Sequence, residues 1–134
     1  MMSGLIHHIE FNVSNLSHSI HFWGWFLEKL GYEPFQEWTE GKSYRLGDTY
    51  IVFVQTREKY LNHPYHRCGT GLNHLAFHAD SRQEVDEITN ELIKRRVKIL
   101  YMDKHPFAGG DDYYAVYFED PDRMKIELVA PPLK

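Results

Sequence analysis

The sequence predicts an α+β fold of two βαβββ modules in tandem, forming a cleft lined by the inner faces of their mixed sheets. Two observations predict this fold. The same order of strand-like and helix-like patterns occurs twice along the chain. Each half also opens with related text, IHHIEF at residues 6–11 and LNHLAF at residues 72–77, so a histidine falls at the same register in both. Because neither half has much apolar surface of its own, we expect residues 1–134 to form a single domain.

Module one is expected to span about residues 4–56. Residues 5–13 alternate between apolar and polar side chains, which is typical of a strand covered on one face only. Asn15 and Ser17 are candidate N-caps of the next helix, and Gly31 marks its end. Apolar side chains at helical spacing support that helix: Ile20, Trp23, Phe26, Leu27 and Leu30. Three strands are then predicted, at residues 32–38, 43–46 and 50–55.

Module two repeats this order after a connector at about residues 57–70, and is expected to span about residues 71–132. Its first strand is residues 71–79. Ser81 and Glu84 have the spacing of a capping box at the start of the second helix. Three further strands are predicted, at residues 97–102, 113–118 and 124–129.

Composition narrows the function classes. A net charge of −4 gives no reason to expect nucleic acid as a partner. The lone Cys68 cannot close an intramolecular disulfide, which fits a reducing compartment. No apolar stretch approaches the roughly 20 residues of a membrane span. We therefore expect a cytoplasmic protein whose partner is a small molecule, with no role for nucleic acid or membrane.

Strand parity predicts a metal site. If the apolar face of each strand packs on its helix, the alternate residues face inward, and these include His8, His74 and Glu127. Two imidazoles and one carboxylate suit Zn, Ni, Mn, Co or Fe, and they leave coordination positions open. Each histidine taken alone is more often structural than a ligand. The equivalent placement of two of them by two modules favours one divalent metal ion.

Three segments carry a resemblance to a known family: HHIEFNV at residues 7–13, GLNHLAFHA at residues 71–79 and DPDRMKIELVAPP at residues 120–132. Together they resemble the vicinal-oxygen-chelate superfamily, which includes glyoxalase I, fosfomycin-resistance enzymes, bleomycin-resistance proteins and extradiol dioxygenases. The resemblance implies that His8, His74 and Glu127 are the metal ligands, the same three residues that parity selects. It also implies a homodimer, because family members commonly cover open sheet edges by association.

Further site residues are predicted with less support from the pattern. Glu10 is an inward candidate for a general base, and His78 is an inward neighbour of the ligands. Tyr117 resembles the substrate-binding tyrosine of fosfomycin-resistance enzymes, and Tyr44 lies in a stretch that resembles theirs. His105 lies in a loop with Gly109 and Gly110 and is a candidate lid residue.

Phe53 is matched to the position at which glyoxalase I-like members add a fourth protein ligand. A phenylalanine there predicts three protein ligands and an open coordination sphere.

The leading functional hypothesis is a metal-dependent glyoxalase-like enzyme, a lyase, isomerase or transferase. Its substrate would be a small oxygenated molecule chelated through vicinal oxygens. Two alternatives stay open: a metal-free drug-binding protein of the bleomycin-resistance kind, and an iron-dependent extradiol-type dioxygenase.

Overall fold

A computed structural model describes residues 2–133 and divides the chain into two compact units. The boundary lies between Pro64 and Tyr65, inside the predicted connector. Unit 1 and unit 2 each contain one helix and one four-stranded mixed sheet. The α+β class and the two βαβββ modules are therefore confirmed.

Unit 1 contains one module followed by a short 3-10 helix. Its helix begins after Asn15, whose side chain accepts a hydrogen bond from the backbone N–H of His18 at 3.1 Å. Gly31, with a φ of 99°, ends the helix as expected. The elements are β1 His8–Val13, α1 Leu16–Lys29, β2 Glu33–Trp38, β3 Gly41–Leu46, β4 Thr49–Gln55 and the 3-10 helix Glu58–Tyr60.

The core of unit 1 is aromatic. Trp23 of α1 packs on Phe11 of β1 and Phe53 of β4, with ring centroids 6.0 and 5.0 Å apart. Trp23 and Phe53 are both fully buried. Burying such rings supplies a large share of the apolar area that stabilises a small module. It also defines the face of this sheet that α1 covers.

Unit 2 repeats the plan. Its helix starts at a capping arrangement in which Ser81 Oγ accepts from the Glu84 N–H at 3.0 Å. The Glu84 carboxylate reaches back to the N–H of Asp80, also at 3.0 Å. The elements are β5 His74–His78, α2 Arg82–Lys94, β6 Ile99–Leu100, β7 Ala115–Glu119 and β8 Lys125–Val129.

The strand predicted at residues 97–102 is shorter in the structure. Arg96 and Tyr101 both have a φ of 60°, and these left-handed residues confine β6 to two residues. β7 likewise starts two residues later than predicted, at Ala115. The chain between β6 and β7 forms turns instead.

Both predicted histidine ligands lie on edge strands. The strand orders are β1-β4-β3-β2 in unit 1 and β5-β8-β7-β6 in unit 2. In each sheet the strand that begins with histidine pairs in parallel with the last strand of its module. Within residues 2–133, no helix is both long enough and apolar enough to cross a bilayer.

Candidate metal and substrate site

The register of unit 2 places the candidate chemistry on one face of its sheet. His74 lies opposite Lys125, and Glu127 lies opposite Tyr117 on its other side. The alternate residues of β8, Ile126 and Leu128, are fully buried with the α2 side of the sheet. The parity that was predicted for β8 is therefore confirmed.

Glu127 is a buried carboxylate with two partners. It is only 2% exposed. Its Oε1 lies 3.2 Å from Nε2 of His74, and its Oε2 accepts a short hydrogen bond from the hydroxyl of Tyr113. A buried carboxylate is costly unless both oxygens are satisfied, so these partners explain how this one is tolerated.

The residue before His74 fixes the chemistry of its ring. Nδ1 of His74 lies 2.7 Å from Oδ1 of Asn73. An amide oxygen can only accept, so Nδ1 carries the proton and donates. In the neutral ring, Nε2 then presents a lone pair to Glu127. An outer partner of this kind is what usually orients a metal-binding histidine.

The His74–Glu127 pair has the spacing of two ligands on one metal ion. Two ligand atoms about 2.0–2.2 Å from a shared metal lie about 2.9–3.5 Å apart, which includes the 3.2 Å observed. A neutral Nε2 and a carboxylate oxygen are both acceptors, so the pair is satisfied either by a proton on Nε2 or by a shared metal ion. Within neither unit, over the described residues, do three His, Cys, Asp or Glu side chains form a group that could hold a metal. In unit 2 the two candidate ligands, His74 and Glu127, thus lie in direct contact.

His8 is the corresponding histidine of unit 1, and it is exposed. Its ring stacks on Tyr50 with centroids 4.8 Å apart, and its Nδ1 lies 2.9 Å from Nδ1 of His7. Since Nδ1 is engaged, Nε2 is the nitrogen left for a ligand. The residue before each candidate ligand histidine therefore holds the same ring nitrogen in both modules.

Two tyrosines surround Glu127 as neutral donors. The hydrogen bond to Glu127 raises the pKa of Tyr113 to about 12, with burial and the Glu127 charge adding to it. Burial, followed by the charge of Glu127, raises the pKa of Tyr117 to about 12. Both hydroxyls therefore keep their protons at any physiological pH.

The other predicted site residues are spread over both units. Glu10 is exposed on the His8 face of β1, and His78 is exposed at the end of β5. Tyr44 is only 2% exposed and lies on the α1 side of its sheet, against Gly24 and Phe53.

His105 is half-buried, and its charged neighbour is Asp86 of α2. Burial lowers the pKa of His105, and the charge of Asp86 opposes that shift. The charged neighbour of His105 thus belongs to α2 and not to the Glu127 face.

The matching of Phe53 to a fourth-ligand position is wrong. Phe53 pairs with Phe11 in the parallel register and packs on Trp23, so it faces α1. Tyr50, Val52 and Val54 are the β4 residues on the His8 face. The error arises because β4 is apolar on both faces, so alternation gives no parity signal there.

The sequence reasoning assigned no role to Asn73 or Tyr113, although both touch the candidate ligands. Tyr113 shares the inward parity of Tyr117, and this was the available signal. No comparable signal in the sequence points to Asn73, because its role depends on a side-chain hydrogen bond.

These features define a class: a tandem βαβββ protein with a buried glutamate paired with a histidine on one face of its second sheet. The family model for the Glyoxalase/Bleomycin resistance protein/Dioxygenase superfamily matches residues 5–128. The chain belongs to that superfamily.

Its relatives agree with this assignment. Over 126 residues the chain is 55% identical to the uncharacterised protein YqjT of Bacillus subtilis, covering 94% of this chain and 98% of that one. A solved structure of a candidate glyoxalase from Bacillus halodurans has a TM-score of 0.95 and 56% identity, covering 96% and 97% of the two chains. The fosfomycin resistance protein FosX of Listeria monocytogenes has a TM-score of 0.71 and 26% identity, covering 99% and 97%.

Proposed function

We propose that this protein is a metal-dependent glyoxalase-like enzyme, a lyase, isomerase or transferase. Its substrate would be a small oxygenated molecule that chelates one divalent metal ion through vicinal oxygens. His74 and Glu127 of unit 2 and His8 of unit 1 are the proposed ligands. The metal would be Zn, Ni, Mn, Co or Fe.

The observation that carries this proposal is the pairing of His74 with Glu127. The Asn73 amide oxygen accepts a hydrogen bond from Nδ1–H of His74, and Nε2 of the same ring lies 3.2 Å from a buried carboxylate oxygen of Glu127. Superfamily members bind such ions: a FosX structure with a TM-score of 0.71 and 24% identity is complexed with Mn(II) and 1S,2S-dihydroxypropylphosphonic acid. That ligand is itself a small molecule rich in oxygen.

When bound, the metal would act as a Lewis acid that polarises substrate oxygens. The chain's own residues would orient the ligand atoms and keep a neutral hydroxyl beside them. Tyr113 holds Oε2 of Glu127, which leaves Oε1 directed at His74. Tyr117 lies directly across from Glu127 and keeps a neutral hydroxyl there. Glu10 is proposed as a general base because it is an exposed carboxylate two residues beyond His8 on the same face.

The test is elemental analysis of protein purified without a polyhistidine tag. Stoichiometric divalent metal is expected in the wild type, and His8→Ala, His74→Ala and Glu127→Ala should each lose it while staying folded. His78→Ala is the matched control, since it removes an exposed histidine of β5 and should keep the metal. Undiminished metal in a His74→Ala/Glu127→Ala double variant would contradict the proposal.

A second measurement tests whether the site is open for substrate. Cobalt-substituted protein should show a saturable spectral change with oxalate or a hydroxamate, because these chelators displace exchangeable waters. A spectrum indifferent to both would contradict an enzyme of this kind. Wild type that carries no metal and binds aromatic drugs would support the drug-binding alternative, and redox-active iron would support the dioxygenase.

We also propose a homodimer. β1, β2, β5 and β6 are sheet edges in the two units, and all six residues of β2 are exposed. Exposed edges are commonly covered by association. Light scattering should give twice the 15.9 kDa chain mass, and a mass of 15.9 kDa at high concentration would contradict the dimer.

A further inference from the structure

Lys125 is a cation on the same face as His74 and Glu127 of unit 2. It is half-buried at the start of β8, opposite His74 and two residues before Glu127. Within unit 2, over residues 65–133, no carboxylate lies within ion-pairing distance of its ammonium. Within that part of the chain, the positive charge of Lys125 is therefore not neutralised by an ion pair.

The carboxylates that lie closest along the sheet are already paired. Glu119 is the cross-strand neighbour of Lys125, but its Oε2 lies 2.6 Å from Arg67 and 3.6 Å from Arg123. Glu127 is held by His74 and Tyr113. The fold thus supplies a cross-strand acid and then pairs it with arginines, leaving Lys125 without a negative partner.

Aromatic side chains hold Lys125 in place. Its Nζ lies 5.0 Å from the ring centroid of Tyr101 and 5.2 Å from that of Tyr117. It also donates to the hydroxyl of Tyr101 at 3.0 Å. The two rings meet edge to face with centroids 5.5 Å apart. This cage orients the ammonium without neutralising its charge.

Tyr101 holds its position at some conformational cost. Its φ of 60° is in the left-handed region, which a bulky non-glycine residue rarely adopts. Such a conformation persists only where the surrounding structure requires it. The hydroxyl that results accepts from Lys125 and still has its own proton to donate.

We propose that Lys125 and Tyr101 form an oxyanion subsite next to His74 and Glu127. Lys125 would contribute its remaining N–H donors, Tyr101 its O–H, and Tyr117 the wall behind them. The ligand class is a carboxylate or phosphoryl-type oxyanion. Neighbouring strands lie about 4.8 Å apart and alternate residues of one strand about 6.6 Å apart, so the anion would lie within a few ångströms of the metal position.

This inference rests on the proposed function and specifies its substrate. The substrate would carry its negative group beside the oxygens that chelate the metal. Phosphonate, phosphate and carboxylate share the acceptor chemistry, so the experiment has to distinguish them.

The test measures anion binding to metal-free protein, so that the metal itself cannot be the receptor. Methylphosphonate, inorganic phosphate and acetate are titrated separately, with neutral acetamide as the uncharged control. Removing a charged donor costs on the order of 1.5 kcal/mol or more, so Lys125→Met should weaken the preferred anion on the order of tenfold or more. Tyr101→Phe should weaken it less, and Lys125→Arg should retain binding.

The matched control is Lys94→Met, which removes an exposed lysine at the end of α2 and should leave the titration unchanged. Equal binding by Lys125→Met and Lys94→Met would overturn the subsite, as would wild type that binds no anion better than acetamide. Metal content of Lys125→Met separates the two proposals, because it should equal that of the wild type. Loss of metal in the wild type would instead count against the proposed function.

Discussion

The two modules have the same architecture but opposite placement of their acidic residue. In unit 1 the parallel pair behind the histidine is Glu10 with Val52, and in unit 2 the equivalent pair is Ala76 with Glu127. The carboxylate thus lies on the first strand of module one but on the last strand of module two. Glu10 is exposed, whereas Glu127 is buried and held by two partners. The two modules thus place their histidines in the same register. They differ in the residue on the last strand, Val52 or Glu127, and only Glu127 forms a candidate ligand pair with its histidine.

The two modules also differ in the residue that lies opposite the candidate ligand histidine. The residue opposite the ligand histidine is Tyr50 in unit 1 and Lys125 in unit 2. Tyr50 stacks on His8, whereas Lys125 packs on tyrosines of its own unit. Module one therefore presents a histidine supported by a ring, and module two presents a histidine between a carboxylate and a cation.

The largest expected effect is a difference in metal affinity between variants of the two carboxylates, Glu127 and Glu10. Glu127→Ala should weaken metal binding by more than about 100-fold, above the range expected for an outer partner, because it removes a ligand atom. Glu10→Ala should leave metal affinity unchanged and lower turnover if Glu10 is the base. Competition with a chelator measures the affinities. Comparable losses in both variants would remove the distinction between the modules.

A smaller effect is expected from the residues that precede the histidines. Asn73→Ala should weaken the metal about 10–100-fold, since the ring then loses the acceptor that fixes its tautomer. His7→Ala should matter less, because an imidazole Nδ1 can either donate or accept and does not enforce one tautomer on His8. A greater loss for His7→Ala than for Asn73→Ala would contradict this ranking.

Much of this site could be predicted from sequence, for a physical reason. Alternation along residues 5–13, 71–79 and 124–129 indicates which side chains share a face, and it predicts His8, His74 and Glu127 as the inward candidates. Tyr117 was predicted by the same parity, and the register places it across from Glu127. Where one face of a strand is apolar and the other polar, sequence carries the orientation.

Other features carry no such signal. β4 is apolar on both faces, and the orientation of Phe53 was therefore assigned incorrectly. The position of Tyr101 depends on a left-handed residue that no periodic pattern reveals. The pairing of Glu119 with Arg67 joins residues 52 positions apart. Within the described part of unit 2, that pairing engages Glu119, the cross-strand neighbour of Lys125.

A moderate effect on the free energy of unfolding is expected at one glycine in each unit, because each of these glycines faces a tyrosine hydroxyl. A Cβ on Gly24 of α1 would lie 2.7 Å from the Tyr44 hydroxyl, and one on Gly109 would lie 2.6 Å from that of Tyr117. Gly24→Ala should destabilise unit 1 by about 1–3 kcal/mol, although alanine is normally the better helix former. A Cβ on Gly109 would lie closer still to the ring of Tyr113, which holds Glu127, so Gly109→Ala should destabilise unit 2 at least as much.

Chemical unfolding measures both glycine variants. Tyr44→Phe removes the atom that clashes, so the Gly24→Ala/Tyr44→Phe double variant should recover much of the loss. A Gly24→Ala protein as stable as the wild type would show that α1 and β3 pack less tightly than described.

The smallest effect concerns the pH dependence of stability. Burial, then the charges of Glu28 and Glu37, raises the pKa of Tyr44 from 10.0 to about 12, and burial with the charge of Glu127 does the same for Tyr117. The folded protein therefore holds these protons more tightly than the unfolded chain. Their contribution to the free energy of unfolding is complete below pH 10 and is lost as pH rises towards about 12.

Urea unfolding across that pH range should show this loss of stability, and Tyr44→Phe and Tyr117→Phe should each make the loss smaller. Tyr60→Phe, at an exposed tyrosine, is the control. Glu127→Ala should reduce only the part that depends on Tyr113 and Tyr117, because Tyr44 owes its shift to unit 1. A slope that changes equally in Glu127→Ala and Tyr44→Phe would contradict that separation.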